Sequence, residues 1–149
     1  MQSAYHNLPD FAGIMQADGA AFAADHVDVA CTAKEARISL DLAAAYPEEA
    51  LLKCYRRTVR LVRGSHVEIA DDYEGARDAT LSLMLATPPV ATPDGVELAG
   101  LGRIGIEGGR GIRIEPIEIS DARLRLAWPA RLYRLRIPFR ARSLKLKIT

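Results

Sequence analysis

At 149 residues, 49% hydrophobic and 26% charged, the chain has the size and composition of one globular domain able to bury a core. No apolar run approaches the ~20 residues of a membrane-spanning helix. No basic stretch followed by an apolar one marks a leader within residues 1–149, so an export signal would have to lie upstream. The net charge of +1 is unevenly laid: residues 1–33 hold Asp10, Asp18, Asp25 and Asp28 with no Lys or Arg. From Asp121 onward, Arg123, Arg125, Arg131, Arg134, Arg136, Arg140, Arg142, Lys145 and Lys147 oppose that one acid. Such asymmetry marks either an anion-binding face or two halves that complement each other once folded.

In chain order, two-residue alternation dominates, which places apolar side chains on one face of a strand. Ile38, Leu40 and Leu42 alternate with Ser39 and Asp41. The stretch 43–52 is Ala-rich, with Glu48 and Glu49 after Pro47, and suits a short helix or an extended connection with one helical turn. Tyr55, Arg57, Val59 and Leu61 then oppose Arg56, Thr58 and Arg60. Val67 and Ile69, Leu81, Leu83 and Leu85, and Ile112, Ile114, Ile117 and Ile119 continue the alternation. Turn signals fall at Arg63-Gly64-Ser65, Pro88-Pro89, Asp94-Gly95 and Gly108-Gly109. In a last strand pair, Leu135, Ile137, Phe139 and Ala141 hold one parity and Leu144, Leu146 and Ile148 the other, so a bulge or bend is expected near Ser143. Arg134, Arg136, Arg140 and Arg142 form an outer stripe that Pro138 interrupts, and a proline there argues for an edge strand. The expectation is an all-β fold, an antiparallel β-sandwich of roughly nine or ten strands with little helix.

Few residues carry a chemical signal. The arginine stripe suits bidentate binding of carboxylates or sulfates, as an acidic polysaccharide requires; charged edge strands that repel aggregation are the commoner reason for such a pattern. Few aromatic groups accompany it, which argues against nucleic acid. His6 is the best single metal candidate, but zinc needs about three or four ligands, and only His26 and His66 are available to join it, at no short spacing. Tyr5 beside His6 would point to opposite faces of a strand and share no proton path. Glu48 and Glu49 suit a solvated turn, or partners to Arg56 or Arg57, better than a paired-carboxylate hydrolase site. Cys31 and Cys54, in strand-like segments, read best as two buried free thiols. No Ser-His-Asp order, phosphate-cradling loop or dinucleotide fingerprint is present.

Several segments in order carry a resemblance. Tyr5-His6-Asn7-Leu8-Pro9 with Gly13 and Gln16, then Leu40-Asp41-Leu42, Ala45-Tyr46-Pro47-Glu48-Glu49-Ala50 and Tyr55-Arg56-Arg57 come first. Asp71-Asp72-Tyr73-Glu74, and Ser120-Asp121, Trp128 and Leu132-Tyr133-Arg134 as a closing hairpin, follow. Together they resemble the C-terminal β-sandwich portion of the heparinase II/III-like polysaccharide lyases, although Phe11-Ala12 stands where relatives more often place Ile-Asn. The resemblance implies one sandwich domain over 1–149, truncated at its N-terminus, from a protein of the periplasm or cell envelope that cleaves uronic-acid polysaccharides by β-elimination. It implies an α/α toroid domain upstream that supplies most of the chemistry, so this portion is expected to be inactive alone. It also implies zinc in the full-length protein, with His6 as one of three protein ligands and the others upstream. Arg134, Arg136 and Arg140 are the expected polysaccharide-binding residues, and no catalytic residue is assigned. The alternative is a stand-alone, non-catalytic sandwich that binds acidic glycans or a protein partner. A lyase portion is further expected to expose apolar strand faces where upstream strands belong and to be poorly soluble or oligomeric, and a stand-alone module to be monomeric.

Overall fold

The computed structural model describes residues 3–140 and 143–149, so the expectations placed on Ala141 and Arg142 lie outside the described residues. Two antiparallel sheets face each other across one core. The smaller holds β1 (Pro9–Phe11), β6 (Ala79–Leu85), β11 (Arg131–Phe139) and β10 (Arg113–Glu118), in that order. The larger holds β2 (Asp25–Cys31), β3 (Glu35–Asp41), β4 (Leu52–Val62), β5 (His66–Gly75), β12 (Leu144–Ile148), β9 (Gly102–Glu107), β8 (Gly95–Leu98) and β7 (Pro89–Thr92). The all-β sandwich is as expected, with twelve strands among the described residues in place of nine or ten. The surplus is short: β1 has three residues and β7 and β8 four each, too few for alternation to register. The Ala-rich stretch forms two single 3₁₀ turns, Ala43–Ala45 and Glu48–Ala50, the second closed by Leu51 in the left-handed region at φ 53°.

Long strands follow their alternation. Tyr55 and Tyr73 pair across β4 and β5, and Leu135 and Ile137 pair with Leu83 and Leu81 across β11 and β6; all six side chains are buried. Four aromatics interlock at the centre: Phe11 lies edge-on to Tyr46, Tyr55 and Tyr73 at centroid distances of 5.0, 5.6 and 5.1 Å. Edge-to-face pairs of this kind add to the apolar area they bury.

Beside them sits a buried ion pair. Arg57 and Asp71 are directly opposed on β4 and β5, and Nε and Nη2 of Arg57 each donate to a carboxylate oxygen of Asp71 at 2.6 Å. Burial alone would lower the guanidinium pKa, but the hydrogen bonds to Asp71 override it and hold the group above its ordinary value. Burial also pushes the Tyr55 phenol well up, reinforced by the Asp71 charge. The Tyr55 hydroxyl is buried beside the Asp71 carboxylate and makes no hydrogen bond of full geometry among the described residues. A buried unpaired hydroxyl costs about 1–3 kcal/mol. Tyr55→Phe is therefore expected to stabilise the fold by about 1 kcal/mol in chemical denaturation; a loss of stability would show that the hydroxyl is satisfied.

Other expectations change. β11 and β12 are not a strand pair: the chain crosses from the smaller sheet to the larger between them, and Ser143 has a φ of 112° at the expected bend. Gly108 packs there, at φ +86°, where a Cβ would meet the Ser143 carbonyl oxygen at 2.2 Å. Nor is β11 an edge strand, since β6 and β10 flank it. Pro138 fits because β10 ends opposite Arg136, and the Pro138 carbonyl, on that same side, accepts a hydrogen bond from the Arg110 N–H. The missing N–H of Pro138 thus costs no ladder bond to β6. Cys31 and Cys54 are free, as expected, but not buried: Cys31 is exposed on the outermost strand and Cys54 is half-buried. Arg57 pairs with Asp71, not with Glu48 or Glu49, both of which are exposed.

Candidate functional site

The outer face of the smaller sheet collects the residues singled out in the sequence. Register puts Ser82, Arg136 and Arg113 in one cross-strand row, Met84, Arg134 and Glu115 in the next, and Leu132 and Ile117 in a third. The face therefore grades from charged to apolar along the strands. At the apolar end is a cavity of about 630 Å³ lined by Tyr5, His6, Met84, Ile117, Trp128 and Leu132 among others. The 3₁₀ turn Leu124–Leu126, started by Asp121 accepting from the N–H groups of Arg123 and Leu124, carries Leu124 to its rim. At the charged end, Thr80, Arg113, Glu115, Arg134, Arg136 and Pro138 line a shallower polar hollow. The two join at Arg134, whose guanidinium lies 5.4 Å from the centroid of the Tyr5 ring.

The expected stripe is real in parity and largely occupied by partners from its own chain. Arg134 binds Glu115 at 2.7 Å, Arg136 binds Asp10 at 2.9 Å and donates to Ser82 Oγ, and Arg140 binds Asp78 at 3.0 Å. Asp10 belongs to the acidic start of the chain, so the charge asymmetry is in part self-complementary. Among the described residues, Arg113 is the one cation of the polar hollow with no carboxylate at ion-pair distance. Sequence alternation passed over it because Ile112, Ile114, Ile117 and Ile119 look like one theme. In the structure the parity breaks at Pro116: Ile114 pairs with Leu135 on the inner side, while Ile117 pairs with Leu132 and turns into the cavity. That break was the available signal for an apolar site on the outer face.

Tyr5 and His6 do not sit on a strand. They follow one another out of the 3₁₀ turn Ser3–Tyr5 and both line the cavity, so the expectation that they face apart fails. Their backbone is anchored through Asn7, whose carbonyl accepts from Arg57 Nη1 at 2.7 Å and whose side chain accepts from the Met84 N–H at 2.9 Å. The buried ion pair therefore reaches through to the floor of the site.

His6 also borders a small hollow with Asp18 and Gln16. His26 hydrogen-bonds to Asp25, and His66 lies between Ser65 and Glu68, both on the larger sheet. No three His, Cys, Asp or Glu side chains gather among the described residues. One imidazole with one nearby carboxylate does not make a zinc site.

No family model matches the chain, and no curated protein matches it. Among solved structures, heparinase III is similar with a TM-score of 0.60 and 14% identity, over 96% of this chain and 23% of that one. The chain thus spans about a quarter of the length of the structure it matches. What the likeness shows is the fold: this sandwich is shaped like a portion of heparinase III.

Proposed function

We propose that the chain is the sandwich portion of a heparinase II/III-like polysaccharide lyase and that the outer face of its smaller sheet holds a uronate-containing polysaccharide. The carrying observation is the junction of an apolar cavity, with Trp128 and Tyr5 on its wall, and a hollow where Arg113 has no carboxylate partner among the described residues. Sugar rings offer apolar faces to aromatic side chains, and a uronate carboxylate pairs bidentately with a guanidinium. A cavity of this size falls within the range of about 300–1,000 Å³ of small-ligand sites. Arg134 and Arg136, held by Glu115 and Asp10, shape the hollow and set its potential. β-Elimination is assigned to the intact lyase: this portion grips the polysaccharide, and the groups that remove and return the proton come from its companion domain. The fold likeness to heparinase III supports this reading.

Affinity electrophoresis through a gel containing a uronate polysaccharide tests it. The chain is expected to be retarded, less so at higher salt. Arg113→Ala and Trp128→Ala, both at exposed positions, are each expected to weaken binding about tenfold. Arg113 is the better choice than Arg136, whose removal would strand the buried Asp10. Equal mobility with and without polysaccharide would overturn the proposal. Unsaturated uronate product formed by this chain alone would overturn the assignment of the chemistry elsewhere.

A further inference from the structure

The cavity and the polar hollow differ in what each can receive. Met84, Leu85, Ile117, Ile119 and Leu132, all half-buried, form the aliphatic floor of the cavity. None of these side chains carries a hydrogen-bond donor, and the Met84 thioether is at most a weak acceptor. The polar side chains of the lining, on Tyr5, His6 and Asn7, stand together in one exposed segment. The Asn7 carboxamide oxygen already accepts from the Met84 N–H at 2.9 Å. Polar atoms therefore flank one side of the entrance, and the rest of the wall is apolar.

A sugar ring suits the rim better than the floor. Trp128 and Tyr5, each 51% exposed, can take one face of the ring while its hydroxyl groups stay in water. Pressed onto the aliphatic floor, the same hydroxyls would lose their hydrogen bonds with nothing to replace them. The floor calls for a part of the ligand that has no hydroxyl.

We propose that the cavity takes an O-linked acyl group longer than acetyl, carried on the uronate polysaccharide. This rests on the reading of the face as a polysaccharide site and names a substituent which that reading leaves open. An ester supplies an apolar chain for the floor and a carbonyl for the entrance, where Tyr5 and His6 hold their polar atoms. An acetyl group ends in one methyl, which would touch one wall of a space of about 630 Å³ and leave the others without partner atoms. Arg113 and Ile117 lie on the same strand, β10, at positions roughly 13 Å apart along it. The two ends of the site thus read two separate features of the ligand, an anion and an acyl chain.

Calorimetric titration with uronate oligosaccharides of equal length, unsubstituted, acetylated or butanoylated, tests the inference. The butanoyl ester has two methylenes more than the acetyl ester and is expected to bind about tenfold tighter. Arg113→Ala should weaken both esters by the same factor and keep that preference. Leu132→Ser with Ile117→Ser should abolish it. The preference is a ratio within one protein, so a general loss of affinity or stability does not imitate the result. Sodium butanoate alone should not bind in the range where its ester saturates. Equal affinity for the two esters, with the unsubstituted oligosaccharide still bound, would overturn the inference and leave the polysaccharide reading standing. A preference that survives both floor substitutions, or butanoate binding as tightly as the ester, would overturn it as well. No binding of any of the oligosaccharides would overturn both readings.

Discussion

Arg57→Ala is expected to cost the fold about 3–5 kcal/mol. It would leave the Asp71 carboxylate, 1% exposed, charged and unpaired among Tyr46, Tyr55 and the core. It would also free the Asn7 carbonyl, and with it the segment that places Tyr5 and His6 in the cavity. Removing both partners together, as Arg57→Met with Asp71→Leu, should cost much less, because most of the penalty is the stranded charge and not the lost attraction. Urea denaturation of the two variants measures this. Equal losses would show that the pair stabilises through its own attraction. Polysaccharide retardation of the double variant, read separately from its stability, would show how far the Asn7 anchor matters to the site.

Phe11→Ala should be of similar size, about 3–5 kcal/mol. Phe11 is fully buried on a strand of only three residues, and its ring is the shared neighbour of Tyr46, Tyr55 and Tyr73. Emptying that position removes three edge-to-face contacts at once, and the surrounding tyrosines cannot all close in. Tyr46 donates its hydroxyl to the Pro9 carbonyl at 2.8 Å and Tyr73 to the Arg77 carbonyl at 3.0 Å, which fixes two of the three rings. A loss below about 2 kcal/mol in thermal or urea unfolding would mean that the core collapses around the gap.

The long strands were legible because β4, β5, β6 and β11 each run seven residues or more with mostly apolar residues on one parity. The short strands were not, since three or four residues carry no period. The parity of the arginine stripe was also legible. Its state was not, because the carboxylates that bind Arg134, Arg136 and Arg140 come from Glu115, Asp10 and Asp78, on other elements whose proximity only the sheet order creates. Pro138 misled for a related reason: a proline is tolerated wherever its nitrogen side lacks a ladder partner, and the end of β10 provides that inside a sheet as well as an edge would. The cavity was hidden in the parity break at Pro116, and Arg113 with it. The resemblance placed Trp128 at the closing hairpin without giving it a role, and the fold puts it on the cavity wall.

Trp128 is the only tryptophan in the chain, 51% exposed and lining the apolar cavity, so its fluorescence reports on the proposed site without a label. The most direct measurement is a titration of that emission with a defined uronate oligosaccharide, beside a neutral oligosaccharide of equal length. A saturable change with the acidic ligand, weakened by salt and by Arg113→Ala and absent with the neutral one, is the predicted result. An emission that stays flat through the acidic titration, or that responds equally to both ligands, would contradict the assignment of this face to acidic polysaccharide.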